Sequence, residues 1–285
     1  MSSKQQIGLH LRLQTTLMNL VSQAHECNVT SFQFFLVVQK TQKYVRFSSK
    51  DKEEFLKVRS SFSDLYIHSS YWINPASCRK DVFDLSKRLL KKEIATAKAL
   101  DIGYLVLHGG SAKGYPVWQD DPEGKKRGIT TLASMLNSIL KNEEGIQILL
   151  ENGAHGKGTI GSNFEDYKVL LEYLDYPEKV RFCFDTAHAF SFGYELEPID
   201  DFISMLQNNI KLEHIKLIHF NDTHDKQSSM QDRHAFPGQG KIGKQLLTNF
   251  LNHPKLKKIP KIVEGPDAEP SVTKEVLEEI LSWSK

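Results

Sequence analysis

Cysteine is scarce: Cys27, Cys78 and Cys183 are the only three in 285 residues, and no two form a C-x-x-C pair. So odd and dispersed a set argues against a disulfide framework and against a thiolate zinc site, leaving reduced structural thiols. No run of 18 apolar residues occurs, so no transmembrane helix and no membrane partner is expected. The opening MSSKQQIGLHLRL lacks an apolar core of signal-peptide length, and an intracellular, cytoplasmic protein without a secretion signal is expected. An excess of one charge is missing too. The 37 Lys and Arg against 35 Asp and Glu give +2, so an anionic partner would have to be held by a local patch. The runs KKR at 125–127 and KLKK at 255–258 read as solvated surface. With neither a G-x-S-x-G elbow nor a P-loop, nothing points to a serine nucleophile or a nucleotide-phosphate cradle.

What is present is a repeating alternation. Low-complexity stretches and linkers are absent, and a 40% hydrophobic content can bury one large core, so residues 1–285 are expected to form a single domain. Apolar, β-branched or aromatic runs at 6–11, 31–38, 64–68, 103–108, 146–151, 180–185, 214–219 and 261–264 read as strands. Between and after them, helical spacing appears around 17–24, 51–62, 81–100, 129–142, 164–174, 199–209, 244–251 and 271–284. Eight βα units of this kind predict an α/β protein, a (β/α)8 TIM barrel, rather than an open sheet.

Strand ends carry the chemistry. His68, His108, Glu151, Asp185, His219 and Glu264 each close an apolar run, at intervals of 40, 43, 34, 34 and 45 residues, the length of a βα unit. In such a barrel the carboxyl ends of all strands meet at one mouth, where active sites sit. The seventh strand delivers His219 into HFNDTHDKQSSMQDRHAFPGQG, a long polar loop carrying Asp222, His224, Asp225, Asp232 and His234. An extended backbone at Asp232-Arg233-His234 would point the first and last the same way. His188 follows Asp185 by three. A lone His or Glu after a strand is more often structural, but clustered carboxylates would repel one another unless a cation neutralised them. The set comprises five His, two Asp and two Glu: His68, His108, Glu151, Asp185, His188, His219, Asp232, His234 and Glu264. Imidazole with carboxylate and no thiolate favours zinc, with manganese or iron as alternatives. Nine ligands exceed one tetrahedral ion and suit three ions with a bridging carboxylate. Such sites fit phosphoester hydrolysis, where ions clamp non-bridging oxygens, acidify water and stabilise the departing alkoxide.

These residues resemble the endonuclease IV family over essentially the whole chain. The resemblance rests on IHSSYWIN around His68, VLHGGS around His108, ILLENGAHGKG around Glu151, CFDTAHAFSFGY, IHFND, DRHAFPGQGKIG and IVEGPD. It implies a barrel with three zinc ions per chain, manganese being an alternative in one site. His68 and His108 would hold the first, Glu151 would bridge it to a second completed by Asp185, His219 and Glu264, and His188, Asp232 and His234 would hold the third. Glu151 would also be catalytic, orienting the attacking hydroxide. The implied reaction is incision of double-stranded DNA 5′ to an abasic site in base excision repair, leaving a 3′-hydroxyl and a 5′-deoxyribose phosphate. DNA with 3′-blocked damage is the implied second substrate, and the implied enzyme acts as a monomer. The family inserts side chains into the minor groove to extrude the damaged nucleotide. Tyr71 and Trp72 match that wedge, although Trp72 could instead pack on the barrel rim. The polar stretch 39–43, with Gln39 and Lys40, would be the other inserting element. Departures are Arg12, Gln14 and Thr15 after the first strand, the GAHGKGTIGSNFED segment with His155, and His10, which matches a strand-end His that is not a ligand.

Two rivals stand beside this reading. A sugar isomerase or epimerase of the xylose-isomerase-like type needs only Glu151, Asp185, His219 and Glu264 around one manganese ion, which leaves His68, His108, His188, Asp232 and His234 without a task. A DNA-binding protein that has lost catalysis would not need an intact ligand set.

Overall fold

The computed structural model describes residues 6–38, 43–114, 122–156, 158–266 and 268–284. Its strands are β1 (Ile7–His10), β2 (Phe32–Phe35), β3 (Val37–Val38), β4 (Lys43–Tyr44), β5 (Leu65–His68), β6 (Tyr104–His108), β7 (Gln147–Glu151), β8 (Val180–Asp185), β9 (Ile215–His219), β10 (Asp222–Thr223), β11 (His234–Ala235) and β12 (Lys261–Val263). The α-helices are α1 (Leu17–Glu26), α2 (Ser49–Val58), α3 (Lys80–Ala99), α4 (Pro122–Leu140), α5 (Glu165–Leu171), α6 (Thr186–Phe192), α7 (Ile199–Asn209), α8 (Lys244–Asn252) and α9 (Pro270–Ser282). Among the described residues, eight strands close into a barrel in the order β1-β2-β5-β6-β7-β8-β9-β12, and every pair around the ring is parallel. This is the expected TIM barrel.

Period-two alternation explains both faces of the ring. Tyr66, Val106, Leu149, Cys183, Leu217 and Ile262 form a separate buried cluster inside the barrel. Two residues further along the same strands stand His68, His108, Glu151, Asp185, His219 and Glu264. The strand-end residues are therefore the next inward layer, directly above an apolar plug. Strand residues of the other parity, such as Ile67, Leu107, Leu150 and Phe184, join the large core under the helices.

Each helix turns an apolar stripe to that core. In α1 the buried residues are Leu17, Leu20, Val21 and Ala24, and Thr16 caps the helix by accepting a hydrogen bond from the Asn19 amide. The longer α3 buries Leu90, Ile94 and Ala97 together with two polar residues, Ser86 and Glu93.

Three features depart from the expected element order. Helix α6 begins directly after Asp185 and spans 7 residues, too short to show helical periodicity in the sequence. Helix α4 begins at Pro122 rather than near 129, because Gly128 interrupts its pattern. Two short antiparallel pairs form, β3 with β4 and β10 with β11: the expected strand at 31–38 breaks at Leu36 so that Val37–Val38 leave the barrel to pair with β4, and β4, β10 and β11 stand where loops are expected. Gly8 shows how tightly the ring closes: a Cβ there would overlap the Ser31 carbonyl oxygen. Gly8→Ala should therefore lower stability by about 2–3 kcal/mol through overpacking. An unchanged denaturant midpoint would mean that β1 and β2 can part freely.

Candidate metal centre at the barrel mouth

Glu151 ends β7 with no solvent exposure. One of its carboxylate oxygens lies 3.0 Å from His68 Nε2 and 3.4 Å from His108 Nε2. The other is 2.8 Å from His219 Nδ1 and 3.3 Å from His188 Nδ1. His219 Nδ1 also faces Glu264 at 3.1 Å and Asp185 at 3.8 Å. Three groups of donors result, with ligand atoms within 4.8 Å of one another: His68, His108 and Glu151; Glu151, Asp185, His219 and Glu264; and Asp185, His188 and His234. Asp232 belongs with the third, its carboxylate 3.1 Å from His188 Nε2 and 3.4 Å from His234 Nε2. Asp185 reaches the same His234 nitrogen at 3.7 Å, so two carboxylates serve that pair.

The outer nitrogens of these rings decide which atoms face inward. His68 Nδ1 donates to the Ser69 carbonyl at 2.9 Å, His188 Nδ1 to the Asn152 carbonyl at 2.8 Å, and His234 Nδ1 to the Glu264 carbonyl at 3.2 Å. His219 Nε2 donates to Gln33 Oε1 at 3.0 Å. Each neutral ring then presents a lone pair to the centre, as metal-binding histidines do when an outer acceptor fixes their tautomer. His188 Nε2 and His234 Nε2 are only 3.3 Å apart. Two lone pairs at that distance, beside the Asp232 carboxylate, repel unless a proton or cation lies between them. The donor chemistry therefore fits divalent cations.

The protonation tendencies show the same imbalance. Burial alone would raise the Glu151 carboxyl, but His108 and His219 overcome it and hold the group well below the ordinary range. Burial works against a charged His188, yet Asp185, Asp232 and Glu151 draw its pKa well above normal. His108 is pushed down to about 4, chiefly by burial. Asp185 is pushed up by burial in spite of His188 and His234. Protons held on these imidazoles or on Asp185 compete with metal for the same atoms.

Several residues that orient the centre carry no signal as ligands in the sequence. Asn221 donates to Asp185 Oδ2 at 2.6 Å and to Glu264 Oε2 at 3.2 Å, and accepts from the Glu264 amide at 2.8 Å. Asn152 accepts from the Asp185 amide at 2.8 Å. Gln33, buried inside β2, donates to Glu264 Oε1 at 2.6 Å. The one available cue is a polar residue within, or just after, an otherwise apolar strand. His10 lies 3.2 Å from Glu264 Oε1, beside the donor groups rather than within one.

The long loop supplies Asp232 and His234 but not its other candidates. His224 is exposed, and Asp225 pairs with Arg233. Asp222 is instead the loop's organiser. It accepts hydrogen bonds from the amides of Thr223 at 2.8 Å, Gly238 at 3.1 Å, Gly240 at 3.0 Å, Ile242 at 2.9 Å and Gly243 at 3.1 Å. Glycine is needed at 240, since a Cβ there would collide with Asp222 Oδ1. His155 ties the loop after β7 to this one, 3.0 Å from the Met230 carbonyl.

A cavity of about 560 Å³ opens over the centre. Its lining includes His68, His108, Glu151, His188, Asp232, His234 and Glu264, with Arg12 and Gln14 on one side and Phe35, Val37, Val38 and Tyr71 on another. Tyr71 is 67% exposed and packs against Phe35 with the rings tilted at 42° and their centroids 5.3 Å apart. Trp72, 37% exposed, is the next residue in the same turn. Gln39 and Lys40 lie outside the described residues.

Fold and candidate donor set place the chain in the xylose isomerase-like class of barrels, and a family model described as a xylose isomerase-like TIM barrel matches residues 21–285. A protein of Thermosipho melanesiensis named "Probable endonuclease 4" is 33% identical over 267 residues, 91% of this chain and 92% of that one. Its namesake in Heliobacterium modesticaldum is 32% identical over 266 residues, with 91% and 92% covered. Endonuclease IV from Thermus thermophilus superposes with a TM-score of 0.80 at 25% identity, over 98% of both chains. A D-tagatose 3-epimerase-like protein shares the fold, with a TM-score of 0.71 at 22% identity over 97% of each chain. The chain belongs to the endonuclease IV family of xylose isomerase-like TIM barrels.

Asp222→Ala should cost more than about 3 kcal/mol, because it strips the shared acceptor from five buried or half-buried amides at once. Chemical unfolding tests this, and a midpoint equal to that of the parent protein would show that the loop holds its shape by other means.

Proposed function

We propose that this chain is a zinc-dependent endonuclease that hydrolyses the phosphodiester 5′ to an abasic site in duplex DNA, leaving a 3′-hydroxyl and a 5′-deoxyribose phosphate. The observation that carries this reading is the run of adjoining donor groups lining one open cavity in a chain of the endonuclease IV family. His68, His108 and Glu151 would hold one ion, Glu151 with Asp185, His219 and Glu264 a second, and His188, Asp232 and His234 a third. Imidazole and carboxylate without thiolate suit zinc, and manganese could replace it in one site. Such ions supply Lewis acidity that polarises the phosphate, acidifies the attacking water and stabilises the leaving alkoxide.

The chain's own residues do the positioning. Glu151, held from behind by the Tyr167 hydroxyl on its backbone carbonyl, keeps its carboxylate at the meeting point of the donor groups and aligns the attacking water. Asn221 and Gln33 fix the carboxylates of Asp185 and Glu264 so that they cannot swing away from the imidazoles. Tyr71 lines the cavity and Trp72 follows it in the same exposed turn, and the pair would wedge into the minor groove, extruding an abasic nucleotide that has no base to unstack. Gln39 and Lys40 are proposed as further groove contacts. DNA bearing 3′-blocked ends would use the same centre. A one-metal epimerase would need only the second donor group and would leave the other two without purpose.

Elemental analysis of the purified protein should find three ions per chain, and prolonged chelation should abolish cutting of a duplex with one stable abasic analogue. A single ion with no incision would favour the epimerase reading. Glu151→Ala should cut at least about a thousandfold more slowly while still retaining the abasic duplex. Unchanged cutting by that variant would refute the role given to Glu151. Trp72→Ala should weaken binding about tenfold at fixed salt, the scale of one lost stacking contact. Full affinity would make Trp72 a packing residue.

A further inference from the structure

Apart from the metal donors, one fully buried acid at the mouth has no part in the chemistry described so far. Glu93 lies within α3 at 0% exposure, and its carboxylate is shared by two loops. The Tyr44 hydroxyl donates to it at 2.6 Å. The Ser70 amide approaches its two oxygens at 3.3 and 3.4 Å, and the Tyr44 hydroxyl lies 3.3 Å from Ser70 Oγ.

These partners come from the two elements that build one wall of the cavity. Tyr44 is in β4, cross-strand partner of Val37, and Val37 and Val38 line the cavity. Ser70 opens the turn that runs on into Tyr71 and Trp72. Lys92, one residue before Glu93 on α3, sits 3.8 Å over the Tyr44 ring and holds it from another side. Hairpin, aromatic turn and helix therefore meet on one carboxylate.

A buried carboxylate is costly unless donors surround it. Here the donors come from separate loops. If the hairpin moved away Glu93 would lose its phenol, and if the turn moved it would lose its amide. Each loop is thus penalised for leaving while the other stays, which an apolar contact of the same area would not enforce as sharply.

We propose that Tyr44, Glu93 and Ser70 form a positioning node that locks the β3–β4 hairpin and the Tyr71–Trp72 turn into one pre-ordered wall, so that damaged duplex DNA binds with less loss of loop entropy. The inference rests on the endonuclease reading above. Tyr44 and Glu93 are positioning residues and touch neither the reacting phosphate nor the metal donors.

Tyr44→Phe removes one hydroxyl and keeps the ring under Lys92. It should raise the Kd and KM for an abasic duplex about tenfold, the scale of one hydrogen bond to a charged group, with kcat within about twofold and metal content unchanged. Glu93→Gln, which keeps the shape, should do the same. Combined with Trp72→Ala, the effect of Tyr44→Phe should shrink, because the two act through one wall. Without DNA, hydrogen exchange at the amides of Val45 and Ile73 should quicken together in Tyr44→Phe. Unchanged exchange at either amide overturns the node, as does unchanged affinity or strict additivity with Trp72→Ala. A fall in kcat or in bound metal would place the effect at the metal centre and equally overturn it. The unsubstituted protein in the same assay separates the two proposals: if it fails to bind or cut abasic DNA while the exchange result holds, the endonuclease reading is what has failed.

Discussion

A buried carboxylate surrounded by imidazoles is the constraint on which this molecule turns. Glu151 has no access to solvent and cannot ionise there unaided. Desolvation penalises its charge, and the surrounding nitrogens compensate only if each directs the correct atom inward. That requirement explains why so many residues around the centre do nothing but orient others. Gln33 and the backbone carbonyls of Ser69, Asn152 and Glu264 settle which nitrogen of His68, His188, His219 and His234 donates outward, while Asn221 holds the carboxylates of Asp185 and Glu264. Remove that outer ring, and the inner one would relieve its repulsions by rotating apart.

The barrel makes this arrangement tenable. Its interior below the mouth is filled by apolar side chains from six strands, and the charged layer rests on that plug with the same period-two register. Water is thereby excluded from beneath the site while it remains open above. Strands deliver five donors rigidly, and Glu264 follows one residue beyond β12. The remaining donors arrive by different means: His188 from the first turn of a short helix capped by Asp185, and Asp232 and His234 from a loop folded around Asp222.

A shared barrel does not settle chemistry. Four inward donors around one ion would be enough for many reactions on this fold. What separates this centre is the extension of that set on both sides, by His68 and His108 towards β5 and β6 and by the loop donors towards β11. The extension places three adjoining groups of imidazole and carboxylate donors under one cavity. The aromatic turn and the hairpin border the same cavity and both reach the Glu93 carboxylate on α3.

From the sequence alone the βα alternation, the closed barrel and the convergence of six strand-end residues could be read, because burial on both faces and period two leave direct traces in residue order. His188, Asp232 and His234 were legible through their spacing from neighbouring acids. Other features had no such trace. The short α6 and the two-residue hairpins are too brief to impose a period, so only packing reveals them. Asp222 and Asp225 look in sequence like ligands equal to Asp232, yet one collects backbone amides and the other an arginine. Whether an acid faces a metal site or a turn depends on which amides fold back to meet it. Glu93, Gln33 and Asn221 sit where sequence logic asks for helix stripe, strand or loop, and their partners lie 23 to 231 residues away along the chain. Residue order determined which side chains could reach the mouth, and the closing of the ring decided which of them meet, because contact between distant strands exists only once the barrel is complete.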